Sequence, residues 1–142
     1  REGLITGDAS AMAMASAMSD RVICVGELEH GDELLRRFYR YADVLVMPSL
    51  YESFGLPALE ALASGCPVIV SRVGGLPEVY GEGAMYCDPY NPTDIADRIR
   101  LMVSDRAVRQ RYCTAGHTVA TQYDWDATAE QLATLMRTSR LW

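Results

Sequence analysis

Short apolar runs alternate along the chain with stretches of helical period, which is the pattern of a parallel sheet covered by helices. The runs are Arg21–Gly26, Asp43–Pro48, Pro67–Ser71 and Ala84–Asp88. Their unbroken hydrophobic character predicts strands buried on both faces. Between the first two, Leu34, Leu35, Phe38 and Tyr41 recur at helical spacing with Arg36, Arg37 and Arg40 on the other side, predicting an amphipathic crossover helix. Pro57 to Ser64 followed by Gly65 predicts a short second helix. Proline suits its first turn and glycine its left-handed stop.

Asn91 as cap, Pro92 in the first turn and Asp94 near the positive dipole end open a further helix, with Ile95, Ile99 and Met102 as its buried stripe. A helix from Ala107 to about Ala120 follows. The chain closes on a C-terminal helix within residues 126–142, with Ala129, Leu132, Ala133 and Met136 on one face and Trp125 packing where the last two helices meet. Residues 1–20 are the least regular: Leu4–Gly7 reads as a strand and Ser10–Met18 has helical propensity. No repeat or low-complexity linker interrupts the pattern, so residues 1–142 read as one domain of the α/β class, a Rossmann-like parallel sheet flanked by helices.

The chain's 142 residues suffice for one hydrophobic core and fall short of two full domains. A net charge of −6 argues against broad binding to a phosphate backbone, so nucleic acid is not an expected partner. The arginines at 36, 37 and 40 and at 106, 109 and 111 read first as solvated helix faces. Four cysteines, at 24, 66, 87 and 113, form no CxxC pair; three lie in or beside apolar runs, as buried free thiols do. Thiols of this kind fit a reducing, cytoplasmic setting; no stretch is long and apolar enough for a membrane span, and the N-terminus carries no signal pattern, so nothing reads as secreted. The chain opens at Arg1 without an initiator Met, as a piece of something longer would.

In doubly wound sheets ligands bind beyond the carboxyl ends of the strands. The loop after Met47–Pro48 holds two carboxylates, Glu52 and Glu60, eight residues apart around a helix start. The backbone amides from Gly55 to Ala58, at the positive end of the helix dipole, are expected to be free for an anion such as a diphosphate. Gly55 lets backbone approach it. Glu60, expected on the first turn, can accept hydrogen bonds from the vicinal diol of a ribose. Glu52 can reach the hydroxyls of an attached sugar, and Phe54 can wall one side. The same two acids also suit an ordinary helix N-terminus, and spacing leaves both readings open.

The chain resembles the retaining glycosyltransferases of the GT-B fold, family 4. The resemblance rests on Ala42–Ser49, Glu52–Pro57, Glu60–Ala63, Gly65–Ile69 and Gly74–Val79 in that order, and runs from about Asp20 to Trp125. The Glu-x7-Glu pair is the signature. The resemblance implies that the chain is the C-terminal, donor-binding half of such an enzyme. Glu60 then binds the nucleotide ribose, and Glu52 contacts the donor sugar and is the residue assigned to catalysis. Amides around Phe54, Gly55 and Leu56 meet sugar and diphosphate, and Glu27 and Leu28 lie against the base. Glu78 is as readily a brace for its helix as a ligand contact, and Arg72 first a surface residue. Transfer retains the anomeric configuration and is driven by electrostatic stabilisation of the leaving nucleotide. No cofactor or metal is expected: the family usually transfers without a metal, no histidine cluster occurs, and His30 and His117 read as incidental.

The sequence also departs from the family pattern. The Arg and Lys that usually hold the diphosphate are not found, and Leu4–Asp8 resembles the family's second strand and turn. The first strand and helix are thus expected to precede Arg1, leaving a central gap in the order 3-2-1-4-5-6. The acceptor, a glycan, lipid or small molecule, would bind an N-terminal domain outside the chain. The isolated chain is expected to be inactive, with at most weak nucleotide binding. Three alternatives compete: a GT-B relative that epimerises or hydrolyses nucleotide sugars, a non-catalytic sugar-nucleotide-binding or structural domain, and an unrelated doubly wound regulator. The last would need a phosphoacceptor or flavin loop at its strand ends, and Asp43 begins its strand rather than ending it.

Overall fold

The computed structural model describes residues 3–5, 22–25, 28 and 31–139. The helix read at Ser10–Met18, residue Glu27 and the last three residues of the expected C-terminal helix lie outside them. The chain forms two compact units, Arg1–Phe38 and Tyr39–Trp142.

In the first unit, β1 (Gly3–Ile5) and β2 (Val22–Cys24) pair in parallel, with Gly3 opposite Val22 and Ile5 opposite Cys24. Ile23 is 45% exposed, so the expectation of burial on both faces fails in β2. Helix α1 (Glu33–Tyr41) follows, with its residues to Phe38 in this unit and those from Tyr39 in the second, and its start is held by Asp32, which accepts the Leu34 amide at 2.8 Å. Its half-buried stripe is Leu35, Phe38 and Tyr39, while Leu34 and Tyr41 are exposed, correcting the predicted face. Successive residues turn by about 100°, which puts Leu34 and Tyr41 together on the flank of that stripe. Arg36, Arg37 and Arg40 are exposed as expected.

The second unit is built on a parallel sheet in the order β3 (Leu45–Met47), β4 (Val68–Ser71), β5 (Met85–Cys87). Its helices are α2 (Leu56–Ala63), α3 (Leu76–Tyr80), α4 (Pro92–Ser104), α5 (Arg106–Ala120) and α6 (Trp125–Thr138). A 3-10 turn at Gly81–Gly83 leads from α3 into β5. The strand neighbours follow the predicted order, and the ladders among the described residues form two sheets, β1-β2 and β3-β4-β5. The central strand β4 is wholly buried, whereas β3 is half-buried throughout.

Side chains alternate across a strand, and β4 divides accordingly. Val68 and Val70 face a cluster with Ala58, Ala61 and Leu62 of α2, Leu76 and Tyr80 of α3 and Ala120 of α5. Ile69 faces Met85, Cys87 and Met102, with Ile95 and Ile99 of α4 packed beside them, which is the stripe read from the sequence. Asn91, Asp105 and Asp124 cap α4, α5 and α6 through their side chains, each accepting two amides. Cys66 and Cys87 are buried free thiols and Cys113 is half-buried.

Helix α6 departs from its expectation. Leu132 and Met136 are 58% and 54% exposed, and Ala133 alone of the predicted stripe is half-buried. Trp125 is 76% exposed rather than packed at the α5–α6 junction. Tyr123 fills that place instead: its ring meets Phe54 edge-on at 5.2 Å and its hydroxyl donates to the Val79 carbonyl at 3.2 Å.

Candidate functional site

The β3–α2 loop and the start of α2 carry five of the residues singled out by sequence, and their geometry follows from the glycines around them. Gly55 caps α2 in the left-handed region at φ 80°, which a side chain rarely adopts. A Cβ there would also lie 2.8 Å from the Met47 side chain. The hydroxyl of fully buried Tyr80 donates to the Gly55 carbonyl at 2.6 Å, tying the helix start to the core. Burial pushes the Tyr80 phenol up, so it stays a donor.

The loop's other side leans on the β4–α3 turn. The Gly75 amide donates to the Glu52 carbonyl at 3.1 Å. A Cβ on Gly74 would stand 2.1 Å from the Glu52 carbonyl oxygen and one on Gly75 2.0 Å from that of Ser53. The Gly-Gly pair noted in the sequence is therefore what lets two backbones touch and fixes where Glu52 begins. Glu78, on the same short helix, is exposed and has no hydrogen bond or ion pair to a described side chain.

Half-buried Glu52 folds its carboxylate back over its own loop: Oε1 accepts the Ser53 amide at 3.0 Å and the Phe54 amide at 3.4 Å. Phe54 is held edge-on by Tyr123. The run of free amides expected from Gly55 to Ala58 is shorter than read. Pro57 has no N–H, and the Ala58 amide donates to the Gly55 carbonyl at 2.9 Å. The amides of Gly55 and Leu56 remain, with Leu56 45% exposed, and α2, unlike α4, α5 and α6, has no side-chain cap.

Glu60 lies one residue further in than expected, just past the first turn, since α2 begins at Leu56 and Glu60 is its fifth residue. It is half-buried, and its Oε2 accepts the Tyr39 hydroxyl at 3.3 Å. Burial and the neighbouring carboxylate push Tyr39 up to about 12. Glu52, Phe54, Gly55, Leu56 and Glu60 thus share one loop and helix start in the second unit. Leu28 is half-buried in the first unit. Arg72 lies with its guanidinium 4.4 Å from the centre of the Tyr86 ring, in a surface groove shared with Asp88 and Arg98.

Sequence reasoning missed three tyrosines that shape this site: Tyr39, Tyr80 and Tyr123. Only Tyr39 left a local signal, because Leu35, Phe38 and Tyr39 fall at i, i+3 and i+4 on one helix face.

Chemically, the loop gathers amide donors around an anionic oxygen, with acceptor-only carboxylates at both ends of the turn. Among the described residues no helix is long and apolar enough to cross a membrane.

The chain is 43% identical over 99 residues to the D-inositol 3-phosphate glycosyltransferase of Corynebacterium glutamicum, an alignment covering 68% of this chain and 24% of that protein. It is 39% identical over 112 residues to the glycogen synthase of Mycobacterium tuberculosis H37Rv, covering 77% of this chain and 27% of that protein. The sucrose-phosphate synthase of Thermosynechococcus elongatus superposes with a TM-score of 0.81 at 32% identity, over 94% of this chain and 37% of that one. The chain thus spans about a quarter of the length of the curated relatives it matches. Residues 8–119 match the family described as glycosyl transferases group 1, and with these relatives and the GT-B likeness the chain belongs to that family, as part of its C-terminal domain.

Proposed function

We propose that the chain binds a nucleotide-diphosphate sugar at the β3–α2 loop and takes part in retaining transfer of the sugar to an acceptor held by a separate N-terminal domain. The observation that carries the reading is the Glu52 carboxylate resting on the Ser53 and Phe54 amides, because a loop whose donors already converge on an anionic oxygen is built for negative charge. The Gly55 and Leu56 amides at the uncapped start of α2 would meet the diphosphate, and Glu60 the ribose diol. Glu52 would accept a hydroxyl of the donor sugar through its other oxygen.

The relatives support a donor role over an acceptor role. Enzymes named for an inositol phosphate, for glycogen and for sucrose phosphate share this segment, so the segment is not what distinguishes their acceptors. The exposed Leu132 and Met136 on α6 support the presence of a further body that covers them. On this reading the isolated chain does not catalyse transfer, because the acceptor lies outside it. The chemistry is electrostatic, with fixed donors stabilising charge on the leaving diphosphate as the acceptor attacks the same face.

The test is donor turnover by the full-length protein against a panel of nucleotide sugars, with the anomeric configuration of the product read by proton NMR. Retention, and a fall in kcat of about a hundredfold in Glu52→Gln, is the expected result. Inversion, or an unchanged kcat in the variant, overturns the assignment.

A further inference from the structure

We propose that the surface groove along β5 binds a neutral oligosaccharide through Arg72, Asp88 and Tyr90. The inference does not depend on the donor-site reading: the groove follows β5, on the far side of the central strand β4 from β3 and its loop. It encloses about 750 Å³, within the range of about 300–1,000 Å³ usual for ligand clefts. Register sets Ser71 opposite Cys87, so Arg72 and Asp88 stand side by side just past the carboxyl ends of β4 and β5, where such sheets take their ligands. The Arg72 amide donates to the Cys87 carbonyl at 3.2 Å, which fixes the start of the side chain. Its guanidinium lies 4.4 Å from the centre of the Tyr86 ring, a cation–π contact that uses none of its N–H donors.

The groove's other charges are already satisfied. Arg98 pairs with Asp94 at 3.0 Å and Glu82 with Arg111 at 3.3 Å, whereas Arg72 has no acid partner among the described residues. Asp88 gives its amide to Asp94 at 2.8 Å and accepts the Tyr90 amide on Oδ1 at 2.9 Å, which leaves Oδ2 open. Those two bonds pin the turn that carries Tyr90, whose side chain is part of a residue 76% exposed. An open donor fork beside an open acceptor suits a ligand that both gives and accepts hydrogen bonds, as a hydroxyl does. A phosphate or carboxylate only accepts, and the lining sets Arg72 and Arg98 against Glu82, Asp88 and Asp94, so the net charge disfavours an anion. Tyr90 and half-buried Tyr112 add ring surface for the C–H face of a sugar. As a groove rather than a closed cavity, the site suits several residues of a chain.

The experiment is calorimetric titration of the full-length protein and its Arg72→Ala and Tyr90→Ala variants with maltoheptaose, cellohexaose and hexagalacturonate. Both residues are exposed, so the variants fold as the parent does, which far-UV circular dichroism checks. Saturable binding of a neutral chain is expected. Arg72→Ala should weaken it about tenfold, as a charged hydrogen-bond donor is lost, and Tyr90→Ala about threefold, as apolar ring surface is lost. If a neutral chain binds parent and Arg72→Ala equally, the sugar sits elsewhere on the protein and the proposal is overturned. Binding of hexagalacturonate alone overturns it too, because the groove would then select charge. Failure of all three chains to bind the parent overturns it outright and leaves the donor-site reading untouched.

Discussion

Gly75→Ala isolates the contact that seats the candidate site. Gly75 has φ −81° and ψ −8°, a conformation alanine adopts freely, so the substitution introduces no backbone strain. The new methyl instead meets the Ser53 carbonyl oxygen at 2.0 Å and its carbon at 3.1 Å. Neither is the tip of a flexible side chain, so the two loops must part by about 1 Å to restore van der Waals distance. Overpacking of this kind costs about 1–3 kcal/mol. Parting also stretches the 3.1 Å bond from the Gly75 amide to the Glu52 carbonyl, worth about 1 kcal/mol. Against this stands about 0.4–1 kcal/mol from the less flexible unfolded chain. The net loss is about 1–3.5 kcal/mol, which at an m-value of about 2 kcal/mol/M lowers the urea midpoint by about 0.5–1.8 M.

Gly65→Ala is the control. Gly65 has φ 85°, where alanine is strained by about 1 kcal/mol, yet a Cβ there meets nothing within 4 Å. Backbone conformation alone ranks Gly65→Ala as the worse change, and the inter-loop contact ranks Gly75→Ala as the worse. A urea midpoint for Gly75→Ala equal to the parent's, or above that of Gly65→Ala, refutes the claim that the two loops are in backbone contact.

Tyr80→Phe should lower unfolding stability by about 1–2 kcal/mol in the same urea assay, because it removes a buried donor from the Gly55 carbonyl. Asp94 accepts the Asp88 amide at 2.8 Å and Arg98 at 3.0 Å, and these hold its carboxyl below the ordinary 3.8. Its contribution is therefore complete above that pH and lost as pH falls through the lowered value, so Asp94→Asn should flatten the acid side of a plot of urea midpoint against pH.

The strands and helix starts of the second unit were legible because they are local: apolar runs of four or five residues, prolines in first turns, and the Asn91 cap. The Glu52 and Glu60 pair was legible for the same reason, since both flank one turn. The amide nest is shorter than its sequence suggests at Pro57, which has no N–H to offer, and at Ala58, whose amide turns back onto the Gly55 carbonyl. What stayed hidden were contacts between residues far apart in sequence. Tyr39 reaches Glu60, Tyr80 reaches Gly55 and Tyr123 reaches Phe54 and Val79, and no period or spacing encodes such a meeting. The misplacement of Trp125 follows from the last of these, because the sequence shows two aromatics near the α5–α6 junction and only packing decides which fills it. The α6 stripe was read correctly as a pattern, but a pattern does not say what covers it.

The account stands most directly on Glu60 as the residue that holds the nucleotide. Calorimetric titration of the full-length protein with UDP, GDP and ADP, in parent and Glu60→Ala forms, tests it. Saturable binding of one nucleotide, weakened by about 1.5–3 kcal/mol in the variant as a charged hydrogen-bond partner is lost, is the result the structure predicts. No binding of any of the three, or equal binding by parent and variant, contradicts the donor site.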